Sequence, residues 1–155
     1  MDFDEALTIG EIMEARVAAA LGAQFGWQVA RAATHSPQQL AGIDLVVNDG
    51  QTPPRTIDVK FDRTSVNTGN VFIEFKRVVS GQSRPSGIMA SSADAWAFVV
   101  LPTCYIVRAD DIRGSIHVFK RHFRVAPNQD RPSTGFGFLV PVRVIEKMAI
   151  LKIVV

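Results

Sequence analysis

The sequence predicts an α/β fold, a mixed β-sheet with a helix packed against it, and three observations predict it. First, an alanine-rich helical segment near the start is followed by three β-rich runs, a second helical signal and two more apolar runs; that succession of periods builds a sheet flanked by helices. Second, 155 residues with 47% hydrophobic and 21% charged give one domain's length and enough apolar surface to offset chain entropy. Third, no internal repeat or linker divides the chain, so residues 1–155 read as a single domain.

The elements follow in order. Thr8-Ile9-Gly10-Glu11 has the form of a capping box, in which hydroxyl and carboxylate each satisfy the other's backbone amide. A helix is expected from there through MEARVAAAL to Gly22 or Gln24. Phe25–Ala30 reads as a short strand and His35-Ser36-Pro37 as a loop. Ile43–Val47 reads as a strand ending at Asn48-Asp49-Gly50, a hairpin-turn signal that Pro53-Pro54 extends. Thr56–Phe61 and Val71–Val78 are two further strands, separated by a polar loop, Thr64–Asn70, in which Gly69 can take a positive φ. Ser80–Gly87 is expected to be a Gly/Ser/Pro loop, and Ser91 or Ser92 to cap a short helix holding Ala93, Asp94 and Trp96. Phe98–Leu101 and Cys104–Val107 read as a buried strand pair around Pro102-Thr103. Asp110–Phe119 reads as a helix weakened by Gly114, and Val125–Gly137 as a long Gly/Pro/Asn loop. Phe138–Val155 is expected to hold one or two strands, or a strand and a short helix.

Composition excludes several classes. A single cysteine, Cys104, rules out an internal disulfide framework and any cysteine-rich zinc site. The acidic start lacks the basic n-region of a secretory signal, and no uncharged apolar run approaches the ~18 residues of a membrane helix. The expectation is a cytoplasmic protein with no membrane partner. The net charge of +2 conceals an asymmetry: residues 1–75 carry five basic and ten acidic side chains, residues 76–155 twelve basic and five acidic. Such a chain can bind a cation with one part and a polyanion with the other, or simply carry uneven surface charge.

Two carboxylates sit awkwardly. Strand alternation puts Ile57, Val59 and Phe61 on one face and Asp58, Lys60 and Asp62 on the other. Alone, that is an ordinary half-exposed strand. Asp44, however, lies within the apolar run Ile43-Asp44-Leu45-Val46-Val47, and an unpaired carboxylate there is costly to bury. A hairpin through the intervening turn brings Asp44 and Asp58 together, and the usual remedy for such repulsion is a bound cation. Two hard oxygen donors suit Mg²⁺ or Mn²⁺, not zinc. Lys60 then lies one pleat from Asp58, where it can stabilise charge developing on a phosphate or hold an attacking water. Glu14 on the first helix can complete the cation site directly or through water; Glu11 is the rival, though the capping box already uses it. Glu74, opposite its apolar neighbours on the next strand, is a possible addition.

The ordered set Glu14, Asp44 and Asp58-Val59-Lys60 resembles the PD-(D/E)xK nuclease superfamily, whose pattern is a helical Glu, an Asp on the second strand and (D/E)-x-K on the third. Ile43-Asp44 stands where that family often has Pro-Asp. The motifs span residues 9–78, and the segments around Thr68–Glu74, Pro85–Ile88 and Ser92–Trp96 are similar to phage-type and Holliday-junction-resolvase-like members. The resemblance implies a restriction-endonuclease-like mixed β-sheet flanked by helices, and Mg²⁺-dependent hydrolysis of DNA phosphodiesters. It implies a branched or structured substrate in phage or mobile-element DNA metabolism, hence the host cytoplasm. In that frame Asp44 and Asp58 bind the metal with the Val59 carbonyl as a further ligand, Glu14 supports it, and Lys60 orients the water. The alternative is a DNA- or protein-binding domain that keeps the fold without the chemistry, as an accessory subunit or inhibitor.

The basic half offers a substrate grip: Lys76, Arg77 and Arg84 beside one loop, and Arg113, Lys120, Arg121 and Arg124 further on, can neutralise phosphates, or the second cluster can be a solvated helix face. His117 and His122 are not spaced as ligands; Phe119, Phe123, Phe136 and Phe138 fit core packing better than base stacking, and Cys104 fits a structural role. The apolar tail Ile150–Val155 should be covered by the core or by a second copy, and a homodimer would suit cutting two strands.

Overall fold

A computed structural model of the chain describes residues 3–130 and 133–155. They form two β-sheets and several helices, a mixed α/β architecture. In chain order the elements are α1 (Phe3–Phe25), β1 (Gln28–Arg31), α2 (Pro37–Leu40), β2 (Leu45–Asn48), β3 (Arg55–Phe61), α3 (Ser65–Thr68), β4 (Asn70–Val79) and β5 (Gln82–Pro85). After a single 3₁₀ turn, Gly87–Met89, come β6 (Ala95–Val100), β7 (Thr103–Arg108), α4 (Ala109–Gly114), α5 (Ile116–His122), β8 (Val125–Asp130), β9 (Ser133–Pro141), α6 (Val142–Met148) and β10 (Leu151–Val154).

The larger sheet runs β1-β2-β3-β6-β7-β10 and the smaller β5-β4-β9-β8. Neighbours are antiparallel except β3 and β6, which pair parallel, with Asp58 opposite Trp96 and Lys60 opposite Phe98. Parallel strands need a long crossover. Here α3, β4 and β5 carry it, so the smaller sheet begins inside a connection of the larger.

Strand alternation divides the core in two. Ala95, Ala97 and Val99 face one side of β6 with Ile57, Cys104 and Ile106, and α1 covers them with Met13, Val17 and Leu21. Those three helical residues recur every four positions, so they form one stripe. Trp96 and Phe98 face the other side with Tyr105 and Val107, packed against Ile73, Phe138 and Val140 of the smaller sheet and Ile112, Phe119 and Ile145 of the helices. Leu21 is fully buried, and Leu21→Ala should cost about 2–5 kcal/mol. β6 is covered on both faces, which is why Ala95–Val100 is apolar without alternation.

Several expectations are corrected. α1 runs through Thr8, so the capping box does not form; the Glu11 carboxylate instead accepts a bond from the Thr34 hydroxyl (3.4 Å). Ser36 caps a short helix where a loop was expected. The Ser80–Gly87 segment is the turn and second strand of the β4–β5 hairpin, made possible by positive φ at Ser80 and Gly81. The expected helix around Ala93–Trp96 is strand β6, because tryptophan there completes a two-faced buried strand. Asp110–Phe119 is broken into α4 and α5 at Ser115, just past Gly114. The expected long loop at Val125–Gly137 is largely the β8–β9 hairpin, with residues 131–132 outside the described residues. β10 pairs with β7, buries Ile153 and leaves Val154 67% exposed. No helix among the described residues is long and apolar enough to cross a membrane.

Candidate carboxylate site

The site forms where β2 and β3 part. Their pairing ends at Leu45 opposite Ile57. Asp44, one residue before β2, is pinned by its backbone: its N–H donates to the Ile57 carbonyl (2.9 Å) and its carbonyl accepts from the Ala32 N–H (2.8 Å). Its side chain then takes over where the ladder stops, with Oδ2 accepting from the Val59 N–H at 2.7 Å.

Asp58 lies beside it and is 4% exposed, one of two buried polar residues among those described. Lys60 Nζ stands 2.9 Å from its Oδ1. The same ammonium lies 4.5 Å above the centroid of the Trp96 ring, whose quadrupole attracts it. Burial is the main reason the Asp58 carboxyl is pushed from its ordinary 3.8 up to about 7. Lys60 opposes the shift; the charge of Asp44 and a hydrogen bond to Asp44 reinforce it. Lys60 thus favours the charged form of Asp58 while Asp44 and burial oppose it.

Gly42 closes this corner. It has φ +78°, and a Cβ there would lie 3.3 Å from Asp58 Oδ2 and 3.0 Å from Ser91 Oγ. Backbone and space both require glycine. Ser91 Oγ donates to the Gly42 carbonyl (3.3 Å) and accepts from the Trp96 indole N–H (3.3 Å). The loop before Asp44 and the ring beneath Lys60 are thus tied through one hydroxyl.

Glu14 comes from α1. Its pKa is raised, first by burial and then by Asp44, against the lowering effect of Arg31. Arg31 Nη2 donates to Glu14 Oε2 (3.2 Å) and to the Glu11 carbonyl (3.1 Å). Of the two helical glutamates, Glu14 is the one paired with Arg31 and felt by Asp44.

Glu14, Asp44, Asp58 and Lys60 are therefore brought together, but Glu74 is not part of the group. It lies on β4 in the other sheet, 2.6 Å from Arg77 Nη2. Arg113 is also committed, donating to the Ile88 and Ser91 carbonyls (3.0 and 3.3 Å) and to Asp110 (2.8 Å), so it ties α4 to the 3₁₀ turn. Arg77 additionally donates to Ser133 Oγ at 2.7 Å. Lys76 lies over Phe75 and Phe136, and Arg84 stands opposite Arg77 on β5. Lys120, Arg121 and Arg124 are exposed, on or just after α5. The acidic and basic halves of the sequence do not map onto two bodies, because β6, β7 and β10 of the basic half complete the sheet that carries Asp58. Phe119 and Phe138 pack edge-on in the core, and burial pushes the Cys104 thiol up to about 12, in keeping with a structural role.

Sequence reasoning missed Arg31, Gly42, Ser91 and Trp96. Gly42, two residues before the candidate acid, was the one available signal; the others meet the site only through long-range packing. A cleft of about 710 Å³ opens beside Lys60, between the α1 end of the larger sheet and β8.

The donors suit a hard divalent cation in kind: Asp44 and Asp58 lie against each other, and Glu14 is coupled to Asp44. No group of three acidic, histidine or cysteine side chains among the described residues converges as a metal site. Comparison with protein-family models, curated proteins and solved structures gave no match to this chain.

Proposed function

We propose that the protein is a divalent-cation-dependent nuclease that hydrolyses DNA phosphodiester bonds, on a restriction-endonuclease-like version of the mixed α/β fold. The observation that carries this reading is the meeting of Asp44 with an almost fully buried Asp58 whose only ion-pair partner among the described residues is Lys60, 2.9 Å away. Burying a carboxylate beside a second, partly buried one costs stability, and proteins keep such pairs where a ligand offsets it. The helix-borne Glu14, coupled to Asp44, and the Asp58-Val59-Lys60 order support the same assignment.

Asp44 and Asp58 would hold Mg²⁺ or Mn²⁺, with the Val59 carbonyl and Glu14 in support; a bound cation there supplies polarisation of the phosphate and a more acidic water. The side chains do the rest. Lys60, half out of the protein, keeps its ammonium between Asp58 and the Trp96 ring while its side chain also lines the cleft; from there it can orient a water and offset charge gathering on the phosphate. Arg31 holds the Glu14 carboxylate in place. Exposed Lys120, Arg121 and Arg124, with Lys76 and Arg84, are the cations available for phosphates elsewhere along the strand.

The test is nicking of junction, duplex and single-stranded DNA with Mg²⁺ and with EDTA, by the wild type and Asp58→Ala. Hydrolysis that needs the cation and Asp58 supports the reading. Activity indifferent to both overturns it. DNA binding without hydrolysis would leave the non-catalytic binding domain, a reading favoured by the way Arg31 and Lys60 already neutralise Glu14 and Asp58.

A further inference from the structure

The cleft beside Lys60 has its own chemistry. Its volume is about 710 Å³, within the ~300–1,000 Å³ range of small-ligand sites. A space of that size takes a single base or nucleotide rather than a length of double helix. Its walls are Gly10 and Met13 of α1, Phe72 of β4 and Pro127 of β8. Lys60 and Arg63 bring positive charge to the same space; Asp62 lines it too, with its carboxylate taken up by the Thr64 amide and hydroxyl. Apolar walls with cations beside them fit a flat, weakly polar ring joined to a phosphate.

We infer that this cleft receives an unpaired nucleobase of DNA next to the phosphate at Lys60. The substrate class is then DNA with single-stranded nucleotides at the cut site, an overhang, flap or unpaired junction arm, rather than continuous duplex. This rests on the nuclease reading for the identity of the ligand.

Gly10 makes the assignment testable. It stands within α1 and lines the cleft, and a Cβ built there meets nothing within 4 Å. Leucine forms helix better than glycine, so Gly10→Leu adds bulk at the wall of the cleft without threatening the fold. Gly10→Ala is the control that adds helix propensity and little volume.

Binding is measured by fluorescence anisotropy in EDTA with three labelled DNAs: a blunt duplex, the same duplex with a three-nucleotide overhang, and the same overhang made of abasic residues. Wild type and Gly10→Ala should bind the normal overhang about tenfold or more tighter than the abasic one, since stacking acts through the base. Gly10→Leu, with its melting temperature unchanged or raised, should narrow that difference several-fold. Equal affinity for normal and abasic overhangs, or a difference that Gly10→Leu leaves unchanged, overturns the assignment. Cleavage of the same DNAs in Mg²⁺ by wild type and Asp58→Asn judges the chemistry separately. Cleavage without base-dependent binding removes the cleft assignment and keeps the nuclease; base-dependent binding without cleavage does the reverse.

Discussion

β3 and β4 each carry an acid and a base that meet on one side of the strand, and the two pairs live in different states. On β3, Asp58 and Lys60 are two residues apart and share a face by simple alternation. On β4, Glu74 and Arg77 are three apart and meet because a bulge between Glu74 and Lys76 shifts the register. Arg77 also reaches Ser133 while it holds Glu74 at 2.6 Å. Asp58 has Asp44 against it, and Lys60 divides its charge between Asp58 and the Trp96 ring. A strand carboxylate beside a base is thus no sign of a site by itself. The sign is a second carboxylate that leaves the local charge unbalanced.

Substitutions at the two pairs should separate them, and the largest difference should be in catalysis. Asp58→Asn should lower DNA hydrolysis by more than the ~10²–10³-fold typical of losing a single stabilising donor, measured as initial nicking rate in Mg²⁺, while Glu74→Gln leaves that rate where it was. Lys60→Ala should cost about 10²–10³-fold in the same assay, with DNA affinity in EDTA falling far less, the pattern of an ammonium that acts on the reacting phosphate as proposed above. If Glu74→Gln abolished hydrolysis as well, the distinction between the strands would collapse.

Stability should move in opposite directions. Folding raises the Asp58 pKa from 3.8 to about 7. Between those values the folded protein holds a proton that the unfolded chain has released, so stability falls as pH rises from about 4 to about 7 and is level above that. Asp58→Asn removes this dependence. It should melt several degrees above the wild type at pH 8 in EDTA, and the gap should close toward pH 4. The smallest effect is at Glu74→Gln, which should destabilise by about 1–3 kcal/mol through a weakened, half-buried pair, seen as a lower denaturant midpoint at pH 8.

The comparison also explains what the sequence disclosed. Asp44, Asp58, Lys60 and Glu14 were legible because their spacing obeys local rules, strand alternation, a turn at Asn48-Asp49-Gly50 and one helix. The parallel strand β6 was misread at its start, since Trp96 is buried against a sheet whose strands lie some twenty residues before it and forty after, with Ile73 of β4 and Phe138 of β9. The β8–β9 hairpin was read as a loop because Pro127, Asn128, Gly135 and Gly137 carry turn signals; Gly137 in fact sits where a Cβ would strike Phe72 and the Ile73 carbonyl. Glu74 was assigned by the same alternation as Asp58, but alternation does not reveal which sheet a strand joins.

The way the two sheets are threaded has a mechanical consequence. The chain passes between them at β3 to β4, β5 to β6, β7 to β8 and β9 to β10. Lobes joined by one or two strands can swing about a hinge. Lobes sewn together by four crossings can only slide or flex slightly. The gap beside Lys60, which lies between strands of the two sheets, is therefore a slot of nearly constant gauge.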